Sequence, residues 1–315
     1  MSAPAMQKMR LIQRPPESVP HRLGRLRAFS IFLLIVVPVF AWLLWVSFGA
    51  FRDLASPTYR PSGVVPGQYH LAFEAVSIPA ADGAVLAGWL IPAANPAARE
   101  AVVLVAPEGT DKGSLMPIAA RLHDRFHVLA MDIRASGESG GRWSTLGLAE
   151  AGDVERAAAF LRENGAERVG VFGSSVGAAA AVLAAAADPG IMAIALWAPY
   201  TDVPSLARGY YGGIAPLAAL REQSLFGWGR LLLGGNLDTV SPVTAARGVT
   251  QPVFLIHSRA DAFVPFEHAR RFQQAFADHA FAEFYFTDRG GHGEYPTDLA
   301  DRLLDFFSRA LATAR

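Results

Sequence analysis

The residues best suited to chemistry lie in the stretch VFGSSVGAAAA, residues 171–181, where two serines stand between glycines. The pentapeptide GSSVG fits the nucleophile-elbow pattern G-x-S-x-G, with Ser175 at the reactive position. That pattern requires a strand that turns sharply into a helix, with small residues two places before and two places after the serine. An apolar run precedes the pentapeptide and alanines follow it. The sequence therefore predicts an exposed nucleophile at Ser175 rather than a flexible linker.

A nucleophilic serine needs a base that takes its proton, and the base needs a carboxylate that orients it. With this motif the acid and then the histidine follow the serine along the chain, each on a loop after a strand. Among the 8 histidines, His292 in DRGGHGEY lies on a glycine-rich loop between the last predicted strand and the last predicted helix. The others precede the serine, or fall in predicted strands and helices or at their ends. His292 is therefore the predicted base.

The predicted acid is Asp261 in FLIHSRADAFVP, four residues after an apolar strand. An aspartate at such a place also serves commonly as a turn or helix N-cap residue. Asp202, which follows the preceding predicted strand, is the alternative acid.

Attack on a carbonyl builds negative charge, which backbone N–H groups stabilise. One donor is the residue after the nucleophile, here Val176. The second comes from the loop after the third predicted strand, PEGTDKGS, in which Thr110 is the candidate.

A membrane segment is predicted at residues 29–50, which contain no charged side chain and are long enough to cross the hydrocarbon core. Basic residues precede it, namely Lys8, Arg10, Arg14, Arg22, Arg25 and Arg27. The positive-inside rule then places residues 1–28 in the cytoplasm and the rest on the far, periplasmic side. We expect an uncleaved signal anchor. A cleaved secretory signal and a buried core helix are the alternatives.

After this segment, residues 51–68 are rich in Pro, Gly and Ser and are predicted to be a tether. Residues 69–315 alternate apolar strands with helical patterns, which predicts an α/β domain with a mostly parallel sheet flanked by helices. The stretch 200–249 interrupts the alternation and is predicted to be a cap insertion.

Composition excludes several classes of function. Lys plus Arg equal Asp plus Glu at 28 each, so no net charge favours nucleic acid as a partner. Cysteine is absent, which rules out disulfides and thiol catalysis. No His, Asp or Glu cluster has the spacing of metal ligands, and no G-x-G-x-x-G opens a helix after the first strand. We therefore expect neither a metal nor another cofactor.

With these residues placed, residues 69–312 resemble the α/β-hydrolase superfamily, notably its membrane-anchored, single-pass serine hydrolases. DIRASGESGG (132–141) resembles the D-x-R-G-x-G-x-S loop of that group. HSRADAFVP resembles H-G-x-x-D-x-x-V-P, whose aspartate is the triad acid, and GGH resembles the motif that carries the triad histidine. The resemblance implies an eight-stranded sheet with a cap, and acyl hydrolysis without metal or cofactor.

This sequence departs from the group at a few positions. Glu108 stands where relatives often have histidine before the glycine of the oxyanion loop, and a carboxylate there would oppose a developing oxyanion unless it were turned away or paired. Ser258 and Ala135 replace glycines.

The predicted function is a serine hydrolase that cleaves a carboxylic ester or thioester through an acyl-enzyme. The substrate is a small-molecule or lipid acyl compound, and tethering to a bilayer together with the cap aromatics favours a lipid-derived ester. The alternative is a catalytically silent scaffold that binds a ligand or partner at the membrane.

Overall fold

The computed structural model describes residues 20–56, 58–213 and 215–313. The chain divides into two compact units, Met1–Val46 and Ser47–Arg315. In the described residues, the first unit consists of the first part of helix α1 (Pro20–Ala55), which contains Pro38. The predicted basic arm, residues 1–28, lies outside the described residues as far as residue 19.

One helix among the described residues is long and apolar enough to cross a membrane, the stretch Phe29–Ala55 of α1, with a mean hydropathy of 2.6. Its large apolar side chains are exposed as far as Trp45. This pattern fits a segment that faces lipid, because a water-soluble surface rarely leaves so much contiguous apolar area uncovered.

Helix α1 continues beyond residue 50, where the predicted membrane segment ends. Phe51, Leu54 and Ala55 recur at helical spacing and are buried in the core of the second unit. The first residues of the predicted tether 51–68 are thus helical and packed, because this apolar stripe has a core to cover.

Eight strands form one sheet within the described residues. They are β1 (Glu74–Pro79), β2 (Val85–Ile91), β3 (Glu100–Val105), β4 (His127–Met131), β5 (Arg168–Ser174), β6 (Ile191–Trp197), β7 (Val253–Ser258) and β8 (Ala282–Thr287). Their order across the sheet is β1-β2-β4-β3-β5-β6-β7-β8. Strand β2 pairs antiparallel with β1 and β4, and the remaining pairs are parallel. The predicted eight-stranded, mostly parallel sheet is confirmed.

Helices cover both faces of the sheet. They are α2 (Met116–Leu122), α3 (Glu150–Glu163), α4 (Val176–Ala187), α5 (Val203–Tyr210), α6 (Ala215–Leu233), α7 (Pro242–Ala246), α8 (Glu267–Ala275) and α9 (Leu299–Thr313). Alternate residues of β3 enter two different hydrophobic clusters, one with α3 and α4 and the other with α2 and α9. Burial on both faces explains why the central strands are continuous apolar runs.

The predicted cap, residues 200–249, contains α5, α6, a short 3₁₀ turn and α7. It is inserted between β6 and β7, at the carboxyl edge of the sheet, where ligands of open α/β sheets bind.

Candidate active site

Ser175 lies on the turn between β5 and α4. Its backbone has φ 55° and ψ −116°, a strained conformation with a positive φ that non-glycine residues rarely adopt. The turn is fixed by a hydrogen bond from the Ser175 N–H to the Trp197 carbonyl oxygen at 2.9 Å. A Cβ atom on Gly173 would lie 2.2 Å from the Gly177 carbonyl oxygen, so only glycine fits there. The structure thus has the sharp strand-to-helix turn that the G-x-S-x-G pattern predicts.

The structure brings the predicted serine, histidine and aspartate together. The Ser175 hydroxyl donates to His292 Nε2 at 2.9 Å, and His292 Nδ1 donates to Asp261 Oδ2 at 2.7 Å. Because Asp261 accepts the proton on Nδ1, the lone pair on Nε2 is directed at the serine hydroxyl. This arrangement suits removal of the serine proton by the imidazole.

Asp261 is a buried carboxylate fixed by the backbone. Its Oδ1 accepts from the N–H groups of Phe263 and Val264 at 2.9 and 2.8 Å. Burial alone would raise the pKa of Asp261, but the hydrogen bond from His292 and the nearby charges outweigh it and hold that pKa below its usual value. The alternative acid, Asp202, instead caps α5 by accepting from the Ser205 N–H at 2.7 Å.

The loop that carries His292 is tied to the end of β7. The Ser258 hydroxyl donates to the Gly290 carbonyl oxygen at 2.6 Å, and it accepts from the Ala260 N–H at 3.1 Å. Ser258 therefore links the histidine loop to the aspartate loop. The sequence showed only that Ser258 replaces a glycine and did not predict this role. Phe263 adds a ring contact to His292, with centroids 4.8 Å apart.

The two predicted oxyanion donors border the same cavity as the serine. Val176 is the first residue of α4, where the N–H groups have no partner within the helix. Thr110 follows Gly109, and the Thr110 carbonyl oxygen accepts from the Ser136 hydroxyl at 2.8 Å. Both residues are thus placed at the cavity as candidate donors.

Glu108 lines the cavity and carries a buried carboxyl group. Its Oε1 atom has no hydrogen-bond partner among the described residues. Burial, together with the neighbouring Glu150 carboxylate, raises the pKa of Glu108 to about 8. Glu150 itself accepts from the N–H groups of Thr145 and Gly147 at 2.8 and 2.9 Å. At neutral pH the raised pKa keeps the Glu108 carboxyl group mainly protonated, so it places little negative charge beside an oxyanion.

The cavity measures about 500 Å³, within the range of small-molecule sites. Apolar side chains dominate its lining, among them Leu54, Leu146, Leu206, Tyr210 and Phe263. Over the described ranges, no group of His, Asp and Glu side chains is placed to hold a metal ion.

Most cap aromatics do not reach this cavity. Tyr210 lines it, but the Tyr200 hydroxyl donates to the Leu146 carbonyl oxygen at 2.6 Å and its ring is fully buried. Trp228 donates from Nε1 to the Ser47 hydroxyl at 3.1 Å. The cap aromatics therefore serve mainly to pack the cap onto the core and onto the end of α1.

A mostly parallel eight-stranded sheet with a serine on the turn after β5, hydrogen-bonded to a histidine after β8, defines a serine hydrolase of the α/β-hydrolase type. The chain belongs to the prolyl oligopeptidase family, whose sequence pattern matches residues 120–313.

Two bacterial proteins are similar to this chain in sequence. The uncharacterized protein YfhR of Escherichia coli O157:H7 is 28% identical over 222 residues, which cover 68% of this chain and 72% of that protein. YfhR of Salmonella typhi is 26% identical over 307 residues, covering 90% and 96%.

Two solved structures illustrate the likeness in fold. The esterase Pf2001 of Pyrococcus furiosus superposes with a TM-score of 0.67 at 22% identity, covering 81% of this chain and 99% of that one. A membrane phospholipase A gives a TM-score of 0.56 at 18% identity, covering 92% and 97%. At these identities the likeness shows the fold alone.

Proposed function

We propose that the protein cleaves a carboxylic ester or thioester through an acyl-enzyme intermediate. The observation that supports this most directly is the hydrogen-bonded series Ser175, His292 and Asp261, with links of 2.9 and 2.7 Å. The side chains stand in the order nucleophile, base and orienting acid that acyl transfer requires.

In the proposed first step, the Ser175 oxygen bonds to the substrate carbonyl carbon as His292 Nε2 takes the hydroxyl proton. The carbonyl oxygen becomes an oxyanion that accepts from the N–H groups of Val176 and Thr110. Collapse breaks the bond to the leaving alcohol or thiol, which receives the proton from His292. Water, deprotonated by the same imidazole, then attacks the acyl-serine. The bond from the acyl carbon to the Ser175 oxygen breaks, the acid is released, and the serine oxygen takes the proton back from His292.

The character of the cavity favours a substrate with an apolar acyl group. Leu54, Leu146 and Leu206 provide alkyl surface beside the serine, and burial of each methylene of a bound chain contributes about 0.8 kcal/mol. A membrane phospholipase A shares the fold, so lipid ester cleavage lies within the chemistry that this scaffold supports. A lipid-derived ester is thus our proposed substrate class.

We further propose that α1 anchors the protein in a membrane as an uncleaved, single-pass signal anchor. The basic residues before its apolar stretch, which begins at Phe29, favour a cytoplasmic N-terminus, which places the hydrolase unit on the far, periplasmic side. The exposed apolar side chains from Phe29 to Trp45 support this placement in lipid.

Covalent labelling with a fluorophosphonate probe tests the nucleophile. The detergent-solubilised wild-type chain should be labelled, Ser175→Ala should lose labelling, and Ser174→Ala, which changes the neighbouring buried serine, should keep it. Asp261→Asn should lower turnover by roughly three to four orders of magnitude, because the imidazole is then held in the wrong tautomer.

The same preparations are assayed on p-nitrophenyl esters from acetate to laurate, on which kcat/KM should rise with chain length. Labelling that survives Ser175→Ala would refute the assignment of the nucleophile. An intact, folded wild-type chain that is never labelled would favour the silent scaffold.

A further inference from the structure

Residues 58–64, here named the strap, follow α1 along the chain and lie against the loop 107–112, which carries Thr110. The Arg60 N–H donates to the Gly109 carbonyl oxygen at 2.8 Å. The Asp111 carboxylate accepts from the Ser62 N–H at 3.0 Å, from the Tyr59 hydroxyl at 3.1 Å and from the Ser62 hydroxyl. The strap is thus a partner of this loop rather than a free tether.

The bond from Arg60 fixes a particular peptide group. In a trans peptide the carbonyl oxygen of one residue and the N–H of the next point in opposite directions. Holding the Gly109 carbonyl oxygen against the strap therefore directs the Thr110 N–H away from the strap. That N–H is one of the two proposed oxyanion donors, so a hydrogen bond made by the strap backbone sets its orientation.

The loop is also fixed from the side of the sheet. The Ser136 hydroxyl donates to the Thr110 carbonyl oxygen at 2.8 Å, and the Lys112 N–H donates to Asp132 Oδ1 at 2.6 Å. The buried Lys112 ammonium adds an ion pair to Asp132 at 2.7 Å. The loop is therefore held between the core and the strap, and losing the strap would leave one side of it unsupported.

Close packing makes this contact specific. A Cβ atom on Gly113 would lie 2.3 Å from both the Ser62 hydroxyl oxygen and the Val64 carbonyl oxygen, so only glycine lets the strap approach. Arg60 of the strap and Leu54 of α1 also line the cavity. The strap and the end of α1 thus form part of the cavity wall, and the strap also supports the loop.

We propose that the strap, through Tyr59, Arg60 and Ser62, and its partner Asp111 are positioning elements of the hydrolytic site, which hold the Thr110 N–H where the oxyanion forms. The catalytic part of this inference rests on the proposed function. The Tyr59 and Ser62 side chains bond to Asp111 of the loop and do not line the cavity, so their effect is on the rate of acyl transfer rather than on substrate affinity.

Variants on each side of the contact test the proposal in the full chain. Asp111→Asn replaces an acceptor oxygen by an amide N–H that faces the Tyr59 and Ser62 donors. The double variant Tyr59→Phe with Ser62→Ala removes hydroxyl donors from the strap and leaves the loop sequence intact. Both should lower kcat and the fluorophosphonate labelling rate at least about tenfold, since small displacements of a catalytic group cost that much or more. KM should stay within about twofold.

Asp188→Asn is the matched control. Asp188 accepts from the N–H two residues later, Gly190, at 2.8 Å, as Asp111 does from Gly113 at 3.0 Å, but it lies outside the cavity lining. It should keep wild-type kcat even where its melting temperature falls. A purely structural role for the strap would lower the melting temperatures of the test variants without changing kcat per titrated active site.

Hydrogen–deuterium exchange of the peptide spanning residues 108–112 separates this inference from the proposed function, because it needs no turnover. Exchange should speed up in both test variants and not in Asp188→Asn. Wild-type exchange and wild-type kcat in the double variant would overturn the proposal. This holds even if Asp111→Asn fails to fold, because the double variant tests the contact by itself. A wild-type chain that is never labelled would instead refute the hydrolase assignment, while faster exchange would still support the strap contact.

Discussion

At the residue scale, the carboxyl group of Glu108 shows how burial changes the meaning of a side chain. A charged carboxylate beside an oxyanion would oppose catalysis, but desolvation and the Glu150 carboxylate raise the pKa of Glu108 to about 8. Its neutral form is therefore compatible with the proposed chemistry at neutral pH. The protonation state follows from the fold and has no counterpart in the sequence pattern.

Glu108 should make stability depend on pH. Its folded pKa of about 8 exceeds the ordinary value of 4.5, so its stabilising contribution is complete below 4.5 and is lost as pH rises toward 8, at a slope near 1.4 kcal/mol per pH unit. Glu108→Gln removes this dependence. Its melting temperature relative to wild type should therefore climb between pH 5 and pH 8 and then level off.

The control for that titration is Glu163→Gln, at the exposed end of α3. Its melting temperature relative to wild type should stay flat over the same pH range. A difference between Glu108→Gln and wild type that does not change with pH would show that Glu108 titrates normally.

At the element scale, the strand-turn-helix unit β5–α4 carries the nucleophile and depends on glycines that permit close backbone approach. Gly173→Ala would bring a Cβ atom to 2.2 Å from a backbone oxygen, so the turn must open. We expect loss of fluorophosphonate labelling and a destabilisation of several kcal/mol, typical of strain at a special backbone position.

Gly152→Ala provides the comparison for Gly173→Ala. A Cβ atom on Gly152, within α3, would meet nothing within 4 Å. Alanine there should raise helix stability by up to about 1 kcal/mol and leave labelling unchanged. Wild-type labelling of Gly173→Ala would mean that the turn does not need the glycine.

The elements themselves followed from the sequence, because buried parallel strands are apolar runs and the pentapeptide around Ser175 fixes one turn. The contacts of the strap could not be predicted in this way. Asp111 and Ser62 are 49 positions apart, and an aspartate after Gly-Thr is typical of an ordinary turn. The role of the cap aromatics also differs from the prediction. Their number suggested a substrate site, but Tyr200 and Trp228 bond to Leu146 and Ser47 instead.

At the scale of the whole molecule, a single helix provides both the apolar segment and a piece of the hydrolase unit. Phe51 is fully buried, and its ring packs on Trp143 with centroids 5.2 Å apart. Composition predicted the membrane segment, because apolar length is a local property. It did not predict where the lipid-facing part of α1 ends. The last turns of α1 are also apolar, but because they pack in the core of the hydrolase unit.

A topology experiment tests the proposed anchor. Alkaline phosphatase, which is active only after export, should be active when fused after Arg315 in a bacterial host, and inactive when fused after residue 28. The full chain should keep its uncleaved mass in the membrane fraction. A shortened, soluble product would identify a cleaved signal, and an inactive C-terminal fusion would contradict the positive-inside orientation.

The burial of Phe51 and Leu54 also governs how a water-soluble version of this enzyme should be made. Trimming the gene at Ala55, where the apolar stretch of α1 ends, would delete the interior side chains of Phe51 and Leu54 and leave a cavity beside Trp143. A cut just before Ser47 keeps both side chains in the core and leaves one short apolar helical turn at the new N-terminus.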